Sequence, residues 1–308
     1  MVGKYATETI LADAEGIARA AQILRDGGLV AVPTETVYGL AARADSDEAV
    51  ARIYEAKGRP SFNPLIVHVH SVEQAARLAV IDQTARALMD RYWPGPLTLV
   101  LPRLPEAQIA AAVSAGLDTV ALRMPDHPVM QALLSELDLP IAAPSANRSG
   151  FISPTTPEHV RVSLDGRIDA LIEAGACLAG VESTIVAVRA DGTIEVLRPG
   201  PLDFGESSNG TGIEAPGQLA SHYAPGKPVR LNATEVAPDD FMIGFGDVGG
   251  DCSLSESGDV TEAASRLYAC LHEGALSDKK QIAVAPVPET GIGIAINDRL
   301  RRAATPPD

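Results

Sequence analysis

Residues 202–228, "LDFGESSNGTGIEAPGQLASHYAPGKP", are rich in Gly, Ser, Pro and Asn and keep no apolar period. Such a stretch cannot present a continuous face of helix or strand for burial, so it reads as a linker. At 308 residues the chain already exceeds a usual single domain. The expected organisation is one domain over 1–205, a linker over 206–228 and a smaller domain over 229–308.

Upstream of the linker, helical and strand patterns alternate. "EGIARAAQILRDGG" has helical spacing and ends on a Gly pair that signals a C-cap, and "LVAVP" follows as a buried strand. "SDEAVARIYEAKGR" opens with Ser46 as N-cap and acids in its first turn, which predicts a helix ending near Lys57. The runs "PLIVHVH", "PLTLVL", "TVALRMP", "PIAAPS", "STIVAV" and "TIEVLRPG" have strand character, with "HPVMQALLSEL" and "TPEHVRVSL" as helices between them. Strand hairpins and helical crossovers together predict an α/β or α+β fold with one mixed sheet. Downstream, "VRLN", "FMIGFG", "VTEAASRLYACLHEGAL", "QIAVAPV" and "AINDRLRRAA" predict a second, smaller α/β domain with a parallel sheet.

Hydrophobic residues make up 46% and charged residues 21%, ordinary values for a globular protein with real cores. No run approaches a membrane span, and the N-terminus lacks an export pattern, so a cytoplasmic location without membrane contact is expected. Cys177, Cys252 and Cys270 are odd in number and distant in sequence, which suits buried reduced thiols better than disulfides or zinc. A net charge of −15 argues against a surface coated with nucleic-acid contacts. Cations concentrated in short motifs therefore need a local reason.

The first such motif is "EAKGRPSFNPL". Lys57 and Arg59 follow a helix that ends at Gly58, where they either complement the helix dipole or converge on an anion. Asn63, between Pro60 and Pro64, favours the second reading, because a stiffened loop holds polar groups at lower entropic cost. No G-x-x-x-x-G-K-[ST] loop occurs, and "GIGIAIN" has Ile296 where a third glycine of a dinucleotide fingerprint would fall. A polyphosphate site would have to be built from these cations instead.

"AVPTETVYGLAA" runs a buried strand into Thr34, Glu35, Thr36 and Tyr38, either a hydroxyl-lined cleft at a strand end or a simple turn. His68 and His70 in "LIVHVH" fall on one strand face, but no third ligand is evident for a metal. "APSANRSGFISPT" gathers Ser145, Asn147, Arg148 and Ser153 after a buried strand, "GVESTIV" places Glu182 and Ser183 at a strand mouth, and "VLRPG" puts Arg198 at a strand end. No nucleophile elbow and no Ser-His-Asp order is present, so covalent acyl transfer is unsupported.

In this order, "PTETVYGLAA", "KGRPSFNPLIVHV", "WPGPLTLVL", "DTVALRMPDHP", "PIAAPSANRSG", "GVESTIV" and "LRPGP" resemble the YrdC-like threonylcarbamoyl-AMP synthase family. Its K-x-R and S-x-N signature stands here as Lys57-Arg59 and Ser145-Asn147. The segment "SHYAP" and the tail "GIGIAINDRLRRA" resemble the long, two-domain form. The resemblance implies a twisted mixed-sheet catalytic domain and a small Rossmann-like C-terminal domain. It implies an ATP-dependent nucleotidyltransferase that converts L-threonine, bicarbonate and ATP to threonylcarbamoyl-AMP and pyrophosphate for tRNA modification, with Mg²⁺ on the phosphates. The product would pass to a tRNA threonylcarbamoyl transferase, with a weak tRNA contact.

Carried over residue by residue, the resemblance implies Lys57 and Arg59 as the catalytic cations. Arg59, Asn63, Thr119, Ser145, Asn147, Ser153, Arg198 and Tyr223 would hold ATP, Tyr223 from the linker. Thr36, His68, Arg123, Ala143 and Ser183 would hold threonine. Rival readings are a YrdC-like RNA-binding module without catalysis, and a hydrogenase-maturation carbamoyl transferase. The latter's expected acylphosphatase and zinc-finger sequences are missing.

Overall fold

The computed structural model describes residues 6–205, 213–218 and 221–306. Its strands are β1 (Glu8–Leu11), β2 (Val30–Val32), β3 (Gly39–Arg43), β4 (Ile66–His68), β5 (Leu97–Pro102), β6 (Thr119–Arg123), β7 (Ile141–Ala142), β8 (Ala170–Glu173), β9 (Thr184–Val188), β10 (Ile194–Arg198), β11 (Val229–Arg230), β12 (Asp240–Gly244), β13 (Cys252–Ser253) and β14 (Gln281–Val284). Its helices are α1 (Ala14–Arg25), α2 (Asp47–Lys57), α3 (Val72–Ala75), α4 (Gln83–Tyr92), α5 (Ala111–Ser114), α6 (Pro128–Leu137), α7 (Pro157–Leu164), α8 (Val260–Leu276) and α9 (Gly293–Ala304).

The first ten strands form one mixed sheet in the order β1-β8-β2-β3-β7-β4-β6-β5-β9-β10. The antiparallel pairs β2–β3 and β5–β6 sit beside parallel pairs such as β4–β6 and β5–β9. Apolar clusters cover both faces, one including Ile53, Leu97 and Leu122 and the other Leu24, Leu134 and Ile172. The helices that cover the sheet begin as their sequences predict. The Ser46 side chain accepts from Ala49 N, Asp47 and Glu48 occupy the first turn of α2, and Gly58 closes it at φ 60°. Only a residue that tolerates the left-handed region can stop a helix this way without strain.

The C-terminal sheet is parallel, in the order β11-β14-β12-β13. The Asp259 side chain caps α8 by accepting from Thr261 N and Glu262 N. The core of this sheet is not its own alone. Val37, Ile152, Val181 and Tyr223 are buried in the same cluster as Met242, Leu267, Leu271 and Ile296. Gly180, at φ 70°, lies against α8 so closely that a Cβ would stand 2.4 Å from Ala264 O. The two sheets therefore meet across an apolar seam rather than through a loose tether.

Residues 221–228 of the predicted linker are part of that seam, and 213–218 lie against the larger domain, with Ala215 buried beside Ile66, Val100 and Ile185; 206–212, 219 and 220 lie outside the described residues. Ala224 N donates to Gly150 O at 2.8 Å, and Lys227 Nζ donates to Gly274 O and Ser277 O at 2.9 and 2.6 Å. Ser221 Oγ donates to Thr305 O at 2.9 Å. Lack of periodicity marked a segment without helix or strand, but its backbone polar groups are satisfied by both neighbours, so it is a strap. Cys252 and Cys270, distant in sequence, are brought together between β13 and α8, and their mutual hydrogen bond pushes the Cys252 thiol up; Cys252 is half-buried rather than buried. Among the described residues no helix is long and apolar enough to cross a membrane.

Candidate active site

β4 and β6 pair in parallel with His68 opposite Arg123, and Thr98 of β5 faces Arg123 from the other side. Their ends, with the loops after β2, β7 and before β9, open into a cleft lined by Thr34, Thr36, His68, Arg123, Ala143 and Ser183. Arg59, Ser145 and Arg198 line its other part, and Pro216, Gly217, His222 and Tyr223 of the strap roof it. The cavity left beneath the strap is about 50 Å³. Gly217 sits at φ 88°, where a Cβ would meet the Arg198 side chain at 2.9 Å and the Tyr223 hydroxyl at 3.1 Å.

Arg123 is buried, donates from Nε to Gly95 O at 3.3 Å, and lies 2.6 Å from Glu35 Oε1. Burial, with Arg123 adding repulsion, drops His68 to about 3, so its imidazole is neutral. Thr34 and Thr36 share a hydroxyl contact at 2.9 Å, and Ser183 Oγ meets Thr98 Oγ1 at 2.7 Å. These are short-range polar groups on rigid strand ends, suited to a small amino acid.

On the other side, burial lowers Arg59 to about 10, still a cation at neutral pH. Its guanidinium donates to Asn63 O at 3.3 Å and Pro64 O at 2.9 Å, so the proline-flanked loop aims it. Arg198 is fixed by Ser183 O at 2.9 and 3.1 Å and by Pro216 O at 3.3 Å. Two buried guanidiniums at one end of a cleft form an anion seat.

The expected site residues separate into three groups. Thr36, Arg59, His68, Arg123, Ala143, Ser145, Ser183, Arg198 and Tyr223 come together around the cavity. Lys57, Asn63, Asn147 and Ser153 stand behind that lining. Lys57 Nζ is turned to Ser145 O and Asn147 O, each at 2.5 Å, instead of into the cleft, and burial draws its pKa well below the lysine range. Asn147 Nδ2 donates to Arg148 O and Phe151 O, and Ser153 Oγ donates to Glu182 Oε1 at 2.6 Å. Thr119 is not among the residues that line the cavity. It begins β6, whereas Arg123 ends it, and a strand rise of about 3.3 Å per residue puts the two roughly 13 Å apart.

His68 and His70 also part company. β4 stops at His68, which is buried, while His70 turns out to pair with Asp138 at 3.0 Å. Glu182 and His222, given no role in the sequence, line the cavity. Glu182 stands in the strand-mouth motif with Ser183, and for His222 the neighbouring Tyr223 was the only local signal. Among the described residues no three His, Cys, Asp or Glu side chains gather as a metal site. Glu182, which lines the cleft, and Glu35, behind Arg123, are both held by arginines, so the residues present do not build a Mg²⁺ cage.

A family model described as "Telomere recombination" matches residues 22–200, and one described as "Threonylcarbamoyl-AMP synthase, C-terminal domain" matches residues 188–305. Threonylcarbamoyl-AMP synthase of Bacillus subtilis is 41% identical over 94% of this chain and 92% of its own. The chain belongs to the threonylcarbamoyl-AMP synthase family. The synthase of Pyrococcus abyssi is 38% identical over 92% of this chain and 93% of its own. A solved structure of P. abyssi Sua5 complexed with L-threonine aligns with a TM-score of 0.86 at 36% identity, covering 97% of this chain and 98% of that one. Escherichia coli YciO, at 24% identity and a TM-score of 0.55 over 64% of this chain, shares the fold of the larger domain. As a member of this family the protein is an adenylate-forming enzyme of the nucleotidyltransferase type, rather than a binding module.

Proposed function

We propose that the protein joins L-threonine, bicarbonate and ATP into threonylcarbamoyl-AMP, releasing pyrophosphate, with threonine at the Arg123–His68 end and the triphosphate at the Arg59–Arg198 end. What supports this reading is the convergence of two kinds of buried recognition group in one cleft. A carboxylate partner flanked by hydroxyls stands at one end, and paired guanidiniums at the other. The threonine complex of P. abyssi Sua5 favours the amino-acid assignment.

In the first step the neutral threonine amine attacks bicarbonate carbon, forming the N–C bond of a carbamate and losing water. A carbamate oxygen then attacks the α-phosphorus in line, and the bond to the bridging oxygen of pyrophosphate breaks. Both reactants of the second step are anionic, so positioning and charge neutralisation set the rate, as in phosphoryl transfer generally. Arg59 and Arg198 supply fixed donors to the phosphates without reorganising. Neutral His68 accepts or donates a hydrogen bond without adding charge beside Arg123. Thr36 and Ser183 recognise the threonine amine and hydroxyl, and Ala143 offers backbone. A site built to pair a hydroxyl rejects analogues that lack one. Ser145 reaches the nucleotide directly, while Lys57, Asn63, Asn147 and Ser153 keep the loops around it in place. Mg²⁺ enters as the metal of MgATP, liganded by phosphate and water.

The strap must move for catalysis. Ligand pockets run to about 300 Å³ or more, whereas the covered cavity holds about 50 Å³. ATP therefore enters with Pro216, Gly217 and Tyr223 displaced, and Tyr223 closes afterwards over the nucleotide. The adenylate is passed to a tRNA threonylcarbamoyl transferase in the cytoplasm, and any tRNA contact is weak because the chain is acidic. The deciding experiment is pyrophosphate release from MgATP and bicarbonate with threonine, serine or no amino acid. Release that requires threonine is expected, and amino-acid-independent release overturns the reading.

A further inference from the structure

Glu182 is a carboxylate on the wall of a cleft that otherwise presents cations to a nucleotide. Left alone it would repel phosphates and compete for Arg198. It is not left alone. Arg299 of α9, fully buried, donates from Nε to Glu182 Oε2 at 2.9 Å, and its Nη1 donates to Asp298 at 2.8 Å. Tyr268 of α8 donates its hydroxyl to the same carboxylate, 2.8 and 3.0 Å from the two oxygens. Ser153 Oγ supplies a further donor at 2.6 Å. Two of these three partners belong to the C-terminal domain. The Arg299 guanidinium also lies 5.5 Å from the centre of the Tyr223 ring, so one side chain touches both the wall and the roof of the cleft.

We propose that Arg299 and Tyr268 are positioning residues for nucleotide binding, through which the C-terminal domain neutralises Glu182 and keeps Arg198 and Arg59 available to phosphate. Burial by itself would protonate Glu182, but Arg299 and then Arg198 outweigh it and hold the carboxyl ionised, down to about 2. An ionised group this close to a phosphate seat is tolerable only while its charge is cancelled from behind. Buried charges whose partner is removed seek another, and after Arg299 the cation that acts most on Glu182 is Arg198. The C-terminal domain thus contributes charge balance to the site without touching the reacting atoms. This inference rests on the assignment of Arg59 and Arg198 to the triphosphate.

Steady-state pyrophosphate release by the full-length protein, with MgATP and threonine varied separately, tests it. Arg299→Gln should raise the KM for ATP about tenfold, the size of a typical contact coupling, and leave the threonine KM within about twofold. Adding Glu182→Gln to that variant should bring the ATP KM back to within about threefold of the wild type, because the charge that needed cancelling is gone. A merely structural staple would not be repaired by removing its second half. An unchanged ATP KM in Arg299→Gln, an equal rise for both substrates, or a double variant no better than the single one overturns the proposal. Should Arg299→Gln not fold, Tyr268→Phe, which removes one hydroxyl, carries the test. A rise of about threefold in the ATP KM alone is expected, and no rise overturns the proposal. If the wild type releases no pyrophosphate with threonine, it is the functional reading that fails instead.

Discussion

Glu35 Oε1 and Arg123 Nη2 stand 2.6 Å apart, yet the contact runs off the N–H axis, so neither group's hydrogen-bonding capacity at that atom is used. A buried ion pair in this arrangement holds the guanidinium by charge while leaving its donors for a second carboxylate. Arg123→Ala should raise the threonine KM at least about 30-fold with little change in the ATP KM, since one charged hydrogen-bond partner is lost from a desolvated site. Arg123→Lys should recover little, because an ammonium lacks the planar fork. An unchanged threonine KM in either variant would remove Arg123 from this role.

Glu35→Gln tests the other half of the pair. With its counter-ion gone, Arg123 keeps the Gly95 carbonyl but loses the charge that aims its fork, and the threonine KM should rise about threefold to tenfold. A lower threonine KM would show that Glu35 competes with substrate for Arg123.

Arg59→Ala should reduce kcat/KM for ATP by about 100-fold or more, the usual cost of losing a preorganised donor to developing charge. Its carbonyl partners, Asn63 and Pro64, sit on a short loop that water can reach after truncation, so the melting temperature should change little. Wild-type turnover would refute the phosphate clamp.

Lys57 makes a different prediction. Its ammonium or amine satisfies two carbonyls either way, since even the neutral form has two N–H bonds. Lys57→Met should therefore act first on stability, costing about 1–3 kcal/mol by stranding Asn147 O, while Ser145 O keeps the Asn147 N–H at 3.0 Å. Urea unfolding measures it. A loss of ATP turnover with the unfolding midpoint unchanged would mean that Lys57 acts on the nucleotide directly.

The stacked rings of His159 and His272, 3.8 Å apart at 12°, lie where the two sheets meet. Burial lowers His159 to about 4, and burial together with the His159 charge lowers His272 to about 3. Because the folded values lie below the unfolded value of about 6.5, the unfolded chain takes up protons first. Stability is complete above pH 6.5 and declines as pH falls from there through about 4. His272→Phe should flatten that decline between pH 7 and 5 in urea titrations. An identical slope would exclude the pair as its source.

Local order was legible wherever residue type alone imposes it. Ser46 before two acids and Gly58 after Lys57 could only bracket a helix, and the Val- and Ile-rich runs could only be strands of a sheet. β3 escaped because "GLAAR" has no β-branched residue, and β8 because "ALIE" has only Ile172 to announce a strand. β3 extends by pairing with β2 and β7, a choice the neighbours make. The strap escaped for a related reason. Its aperiodic composition says that it forms no regular element, and nothing in it says what its backbone will bond to instead.

The sequence by itself determined the residue types at each strand end and turn, because capping, periodicity and loop stiffness act over a few residues. Those types singled out Lys57, Arg59, Asn63, Ser145, Asn147 and Arg198 as candidates, and the family resemblance supplied their expected roles toward a nucleotide and an amino acid. Only the tertiary structure decided which way each faced. Lys57 turned to two carbonyls, Thr119 went to the far end of its strand, and Glu182 was placed beside Arg299, more than a hundred residues away in the chain. Burial makes an unpaired charge costly, and the partner that relieves it is set by sheet order and domain packing, which no short stretch of sequence contains.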